Sequence, residues 1–358
     1  MLQRYLLGLL LASCAYTFAL AQDPIFSQFY ANRLYLNPAY TGVEPGITGT
    51  VSARSNYTSV QGGYNTVYGS VDFQEPYLRS GFGLSVWRDA VSDASFVTNN
   101  AAFNYAYHIR LSGKLAKFQQ EILLGARAGF TQRSVDWSKL TFIDQYDPIQ
   151  GNVRPTGAVP LNRKSAGYFD ADAGLVWRSS YTLRNQRDMR SSVGLAASHL
   201  TQQDESLEGF PVRRPLRLTL HAATELPIVW NELGSHEISW SPNVKIDYQS
   251  NLTVFTGGVF AYYEGGFLGL FYQNRHPLVS LGLYGDTNAF IFNAGWRFEF
   301  EQKQTMVIGY SFDANTSGLS TASGGAHELS VRYTFGNFML IRKRQAGYKQ
   351  VLPCPKHF

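Results

Sequence analysis

Cysteine is nearly missing from this 358-residue chain: there are two, Cys14 and Cys354. Cys14 falls in an N-terminal leader, so the mature chain keeps one thiol and has no internal disulfide framework. An unpaired cysteine in an exported chain points to an intermolecular bond, a ligand or a modification site, or to a tolerated tail residue. Charge is scarce as well. Asp, Glu, Lys and Arg make up 16% of the residues, whereas soluble domains carry about a quarter. After residue 21 no stretch offers 18 uninterrupted apolar residues, which excludes crossing a membrane with helices. Helical periodicity is almost absent. Catalytic signatures are absent too: the seven His include no HExxH and no close metal pair, and there is no GxSxG. Ser198 and His199 are neighbours in a candidate strand, so they are expected on opposite faces, out of reach as nucleophile and base. The chain reads as a non-enzyme without a cofactor.

What is abundant is aromatic. Tyr and Phe number 22 and 24, and aromatics reach 15%. These residues favour strands, and in membrane barrels they form girdles at the two interfaces. The mean hydropathy of −0.18 does not oppose a membrane barrel, because every second residue faces the lumen and is free to be polar. Residues 1–21 read as an export signal: Arg4, an apolar stretch from Tyr5 to Ala12, and Ala19-Leu20-Ala21 as a small-x-small cleavage site. An alternative is the lipobox-like Leu11-Ala12-Ser13-Cys14, which would leave Cys14 lipidated.

From about Gly46 to Phe335 short alternating segments follow one another. In 97–109, Phe103, Tyr105, Tyr107 and Ile109 oppose Thr98, Asn100, Asn104 and His108. In 121–133, Leu124, Ala126 and Phe130 oppose Glu121, Arg127 and Arg133. In 168–178, Phe169, Leu175 and Trp177 oppose Asp170, Asp172 and Arg178, and in 216–226, Leu218 and Leu220 oppose Arg217 and His221. The spacing predicts an all-β chain, a transmembrane antiparallel β-barrel of about 14 strands, since bacterial barrels use even numbers. The stretch 277–284 competes as an extra strand and is assigned to a loop. Arg127, Arg133, Asp170, Asp172, Arg178, Arg217 and His221 are expected to face the lumen, with Asp170 and Asp172 paired to Arg127, Arg133 or Arg178. A cation or a sugar is the other use of the two aspartates.

Connection lengths set an orientation. With a periplasmic N-terminus, the long connections 134–165 and 201–212 fall outside and the short turns 74–80 and 110–117 inside. The expected division is a signal peptide at 1–21, a periplasmic or plug segment at 22–45, the barrel at 46–336 and a periplasmic tail at 337–358. The pI near 9.0 belongs to that tail: Arg342, Lys343, Arg344, Lys349 and Lys356 follow Phe335 with no acidic residue among them. Without these five and Arg4, 25 basic residues face 26 acidic ones, which excludes a nucleic-acid surface. The tail, with Cys354, is a candidate for docking on an acidic partner or on lipid head groups, or is simply solvated.

The mature N-terminus reads Gln22-Asp23-Pro24-Ile25-Phe26-Ser27-Gln28-Phe29-Tyr30, then Leu36-Asn37-Pro38-Ala39-Tyr40-Thr41-Gly42. Together with Val193 to Thr201, Arg217 to His221 and the Cys354-Pro355-Lys356 ending, this resembles the PorP/SprF family of outer-membrane proteins in the Bacteroidetes type IX secretion system. Gln203-Asp204-Glu205 stands where family members usually carry a proline. The resemblance implies a barrel similar to the fatty-acid-transporter type, in the bacterial outer membrane and in contact with its lipid. It implies a role in secreting or retaining particular surface cargo, including gliding adhesins, and association with the machinery on the periplasmic side. Phe26, Gln28, Phe29, Tyr30, Asn37, Pro38, Tyr40 and Gly42 carry the N-terminal motif, and the aromatics among them, with Tyr35, are expected to plug or brace the periplasmic mouth. The alternative function is an outer-membrane channel for hydrophobic or small solutes.

Overall fold

A computed structural model describes residues 23–336 except 60–61, 92–94, 114–115, 141, 148, 150, 153–154, 158–164, 184–186, 208–210, 230–236, 251, 276–287, 302–303 and 317–322. Fourteen antiparallel strands close into one barrel. They are β1 (Ile47–Asn56), β2 (Tyr64–Glu75), β3 (Ser80–Val91), β4 (Phe96–Arg110), β5 (Phe118–Val135), β6 (Ser165–Thr182) and β7 (Asp188–Ser198), then β8 (Arg217–Val229), β9 (Glu237–Gln249), β10 (Leu252–Tyr263), β11 (Gly266–Arg275), β12 (Ala289–Phe300), β13 (Gln304–Asn315) and β14 (Ala326–Phe335). Each strand pairs with its sequence neighbours, and β1 closes the ring on β14 from Ile47↔Phe335 to Asn56↔Ala326. Every strand edge is therefore satisfied, which is the condition for a sheet in hydrocarbon.

The period of two sorts the side chains. Outward positions carry apolar groups left open: Phe169 is 73% exposed, Leu268 67% and Leu84 62%. Inward positions carry buried polar groups, among them Asn104, His221 and Glu328 at 0%. This inverted pattern suits an apolar solvent outside and a hydrogen-bonded interior. The strands run longer than alternation alone suggested, to 18 residues in β5 and in β6. Both flank the long connection, where their ladder continues past the apolar band as far as Ser134↔Ser165. That connection holds two 3-10 turns, Trp137–Lys139 and Ile143–Gln145, and a two-residue hairpin pairing Tyr146 with Asn152. The 277–284 stretch, residues 1–22 and the tail bearing Arg342, Lys343, Arg344 and Cys354 lie outside the described residues.

Fourteen strands enclose more space than inward side chains fill. Eight-stranded barrels pack solid, whereas those of 16–18 strands hold an aqueous channel. Here the lead-in, residues 23–46, occupies the lumen. Its hydrophobic residues join the wall in one cluster: Phe29, Tyr30, Leu36, Tyr40 and Val43 pack with Leu123, Val176, Phe260 and Phe271.

Candidate functional site

The lead-in descends the barrel from end to end. Asp23 meets His199, Arg214 and Arg217 at the end that carries the long connections. Residue 46 sits beside Phe335 at the opposite, short-turn end, where β1 begins. The segment therefore fills the length of the lumen rather than resting at one mouth, as its aromatics alone suggested. The reason is that those aromatics find partners deep along the wall. Tyr30 packs edge-on against Phe260 at 4.8 Å between ring centres, and Phe29 against Phe271 at 6.1 Å. Phe26 lies edge-on to Tyr35 at 5.0 Å, in a second cluster with Tyr68 and Trp87.

Polar contacts fix the register of this filling. The Ser27 amide donates to Glu328 Oε2 at 2.8 Å, and Gln28 Nε2 donates to the Glu328 carbonyl at 2.8 Å while its Oε1 accepts from Ser330 at 2.6 Å. Arg54 holds Glu328 and Asp313 from the other side, at 3.1 and 2.7 Å. A short helix, α1 (Arg33–Leu36), and a 3-10 turn, Pro38–Tyr40, follow. Asn37 caps that turn by accepting from the Ala39 amide at 2.9 Å. Its Nδ2 donates to the carbonyls of Leu195 and Leu175 at 3.2 and 3.3 Å. Proline at the first helical position suits a turn with no donor to lose. The Tyr40 ring lies 5.4 Å from that of His221, and the Gly42 amide donates to Asp72 Oδ2 at 2.8 Å. Glu44 pairs with Arg33 and accepts from Thr334 at 2.7 Å.

The wall is shaped to this segment. A Cβ on Gly125 would lie 2.1 Å from the Ala39 amide nitrogen, and one on Gly174 only 1.9 Å from Asn37 Oδ1. No side chain fits at either place, so these glycines serve close approach of the lead-in to the sheet.

All seven lumen candidates face inward, and their pairing departs in part from expectation. Arg127 binds Asp172 at 2.5 Å as anticipated. Arg178 instead binds Glu121 at 2.8 Å, and Arg133 binds Glu205 at 2.9 Å. Asp170 pairs with His199, and Arg217 with Asp23 at 2.8 Å. The unforeseen partners are Glu121, in β5 directly across from Arg178, and Asp23, His199, Arg214 and Glu205, which lie outside the strands. Sequence alternation is silent there, because such positions are set by loops folding back on the lumen. Glu205, in the run Gln203-Asp204-Glu205, is held by the bridge of Asp204 to Arg213 and by its own amide donating to the Val212 carbonyl at 3.0 Å.

His199 also departs from its expected face. Its φ of +64° ends the alternation, so Ser198 and His199 are both buried inward. Ser198 Oγ accepts from Arg217 Nη2 at 3.3 Å, and His199 is engaged at both ring nitrogens by Asp170 and Asp23. Asp170, Asp172 and His199 come close enough to hold a metal ion. Their ligand atoms already face Arg127, Asp23 and the His199 amide, and the neighbouring guanidinium makes a cation there unfavourable.

Electrostatics at this latch is mutual. Burial pushes the Asp23 carboxyl up, but His199, Arg214 and Arg217 outweigh it and hold it well below the usual carboxylate range. Burial pushes His199 down, and Asp23 and Asp170 reverse this, leaving its imidazole above the ordinary value. Both ring nitrogens of His199 face carboxylates, Nδ1 that of Asp170 and Nε2 that of Asp23, which is why its protonated form is favoured. At the other end burial disfavours the Glu44 carboxylate, while Arg33 and Arg332 overcome that cost and hold its carboxyl below the usual range.

The family model for the type IX secretion system membrane protein PorP/SprF matches residues 19–333. The chain belongs to the PorP/SprF family. Membership makes this closed barrel an outer-membrane component of that secretion system and implies association with its machinery. No curated protein matches the sequence. Among solved structures, the CymD monoaromatic hydrocarbon channel is similar at 9% identity, over 86% of this chain and 93% of that one, with a TM-score of 0.42. The toluene transporter TodX of P. putida follows at 10% identity, 84% and 93% coverage and a TM-score of 0.40. A FadL homologue of Pseudomonas aeruginosa shows 10% identity, 85% and 94% coverage and a TM-score of 0.38. The likeness concerns the barrel fold.

Proposed function

We propose that this PorP/SprF protein is a stoppered barrel that supports secretion or surface attachment of specific type IX cargo, such as gliding adhesins. It acts as a receptor or anchor at the outer membrane and not as a conduit for diffusion. The observation that carries this reading is the lead-in, which crosses the lumen from Asp23 to Gly46 with hydrogen bonds and ring contacts along its length. The signal-like residues 1–21 support export to the outer membrane. The connection lengths support an outward-facing long-loop end. The basic tail after Phe335 is then periplasmic and positioned to dock on machinery components or lipid head groups.

Two measurements test the reading together. Purified protein in planar bilayers is expected to be electrically silent. A native pull-down from outer membranes, followed by mass spectrometry, is expected to recover a large surface protein and machinery components. Steady large conductance, or uptake of a small or hydrophobic solute that depends on this protein, would overturn it in favour of a channel.

A further inference from the structure

At the long-loop end the lumen opens into a cavity of about 460 Å³ lined in part by Asp23, Pro24 and Ile25 of the lead-in. Four arginines line it: Arg54, Arg133, Arg214 and Arg275. Three of them are neutralised by the chain's own carboxylates. Arg54 pairs with Asp313 and Glu328, Arg133 with Glu205, and Arg214 with Asp23 and Glu205. Arg275, the last residue of β11, makes no ion pair among the described residues. Its Nε is buried without a hydrogen-bond partner, as are those of Arg54 and Arg133, but unlike them it has no carboxylate on its terminal nitrogens. A guanidinium in that state has lost water on one edge and gained no protein acceptor, which is costly unless a ligand completes it.

We propose that this cavity is a receptor site for a carboxylate-bearing segment of an exported polypeptide, with Arg275 donating to the carboxylate. The proposal rests on the cargo reading above and names the chemistry by which cargo is held. A planar guanidinium matches a carboxylate with two parallel hydrogen bonds, a pairing a solvated lysine does not reproduce. Flat surfaces for the neighbouring residues of such a segment lie beside it. Tyr57 and Tyr64 meet edge-on at 6.0 Å, and Phe96 is covered by the Arg133 guanidinium at 4.6 Å. The same lining carries Asp23 and Asp89, the latter accepting from Thr66 at 2.6 Å. The field is therefore mixed in sign. It suits one carboxylate among neutral and aromatic groups, and it rejects polyanions.

The test uses the full-length protein in detergent micelles and a fluorescent tetrapeptide, Gly-Tyr-Gly-Asp, blocked at both ends so that the aspartate is its single carboxylate. The control peptide carries asparagine in place of that aspartate. The aspartate peptide is expected to bind at least about tenfold more tightly, a preference that a charge-assisted bidentate pair supplies. Arg275→Gln is expected to erase the preference while the barrel keeps its heat-modifiable gel mobility. Arg275→Lys is expected to restore the preference only in part. Equal binding of the two peptides, no binding of either, or a preference that survives Arg275→Gln would overturn the site. The pull-down separates the two proposals. Cargo recovered without peptide binding overturns this site alone, and peptide binding without cargo overturns the functional reading alone.

Discussion

At the scale of single residues, Asp23 is the position where one atom exchange matters most. It neutralises Arg214 and Arg217 and accepts from His199 in a buried setting. Asp23→Asn keeps the shape, strands the Arg217 guanidinium and leaves Arg214 and His199 with only Glu205 and Asp170; breaking a buried pair in this way costs about 3–5 kcal/mol. The expected outcome is a lower midpoint of heat-induced unfolding in detergent and faster proteolysis of the lead-in. Gly174 and Gly125 offer a steric counterpart. Alanine at either meets the lead-in at 1.9 or 2.1 Å, so Gly174→Ala is expected to destabilise by about 1–3 kcal/mol, the usual cost of overpacking. Unchanged thermal midpoints would show that the lead-in yields easily at that point.

The latch also carries a pH dependence whose sign follows from the two shifts. Asp23 titrates lower in the folded state, so its contribution is complete above the ordinary value of 3.8 and is lost as pH falls through the lowered one. His199 titrates higher when folded, so its contribution is complete below 6.5 and is lost as pH rises through the raised value. Protection of residues 23–46 from protease is therefore expected to be greatest in mildly acidic buffer and to decline on both sides. A flat profile between pH 5 and 9 would remove His199 from the latch.

At the scale of elements, the strands and the lead-in differ in what they owe to local sequence. Each strand is a repeat of two with an apolar outer face, as Phe169, Asp170, Ala171 and Asp172 display within one stretch, and such a repeat is legible without a partner in view. The lead-in has no comparable period. Its place depends on Phe260, Glu328 and Asn37's carbonyl partners on β6 and β7, each more than a hundred residues away. Removing residues 23–44 is expected to leave the ring of ladders intact and to open the lumen. Single-channel recording of this variant should then show conductance that the intact protein lacks, and a silent variant would mean that another segment closes the pore.

At the scale of the whole molecule, a filled barrel in a secretion family directs attention to its two ends. The long-loop end is expected to face cargo and the tail to face the periplasm. Deleting residues 341–358 is expected to leave the barrel folded, judged by heat-modifiable mobility, and to lower cargo display, judged by surface labelling of the recovered surface protein. Display at the intact level would remove the docking role of Arg342, Lys343, Arg344 and Cys354. Family membership was readable from Asn37-Pro38-Ala39-Tyr40 and its companions because their residues are contiguous. The ion pairs of the lumen were readable only where both partners lie on paired strands, as Arg127 and Asp172 do. Arg133 with Glu205 was not, because one partner sits in a connection that alternation does not describe.

By itself the sequence determined the class of fold and, within the strands, which residues face inward, since a period of two is a local property and lipid outside admits one sorting of it; the count of 14 also needed the even-number rule of bacterial barrels. Whether the lumen is open was decided by tertiary structure alone. Closure depends on residues 23–46 finding acceptors, rings and glycine clearances contributed by strands remote in the chain, and those meet only once the barrel has closed around them.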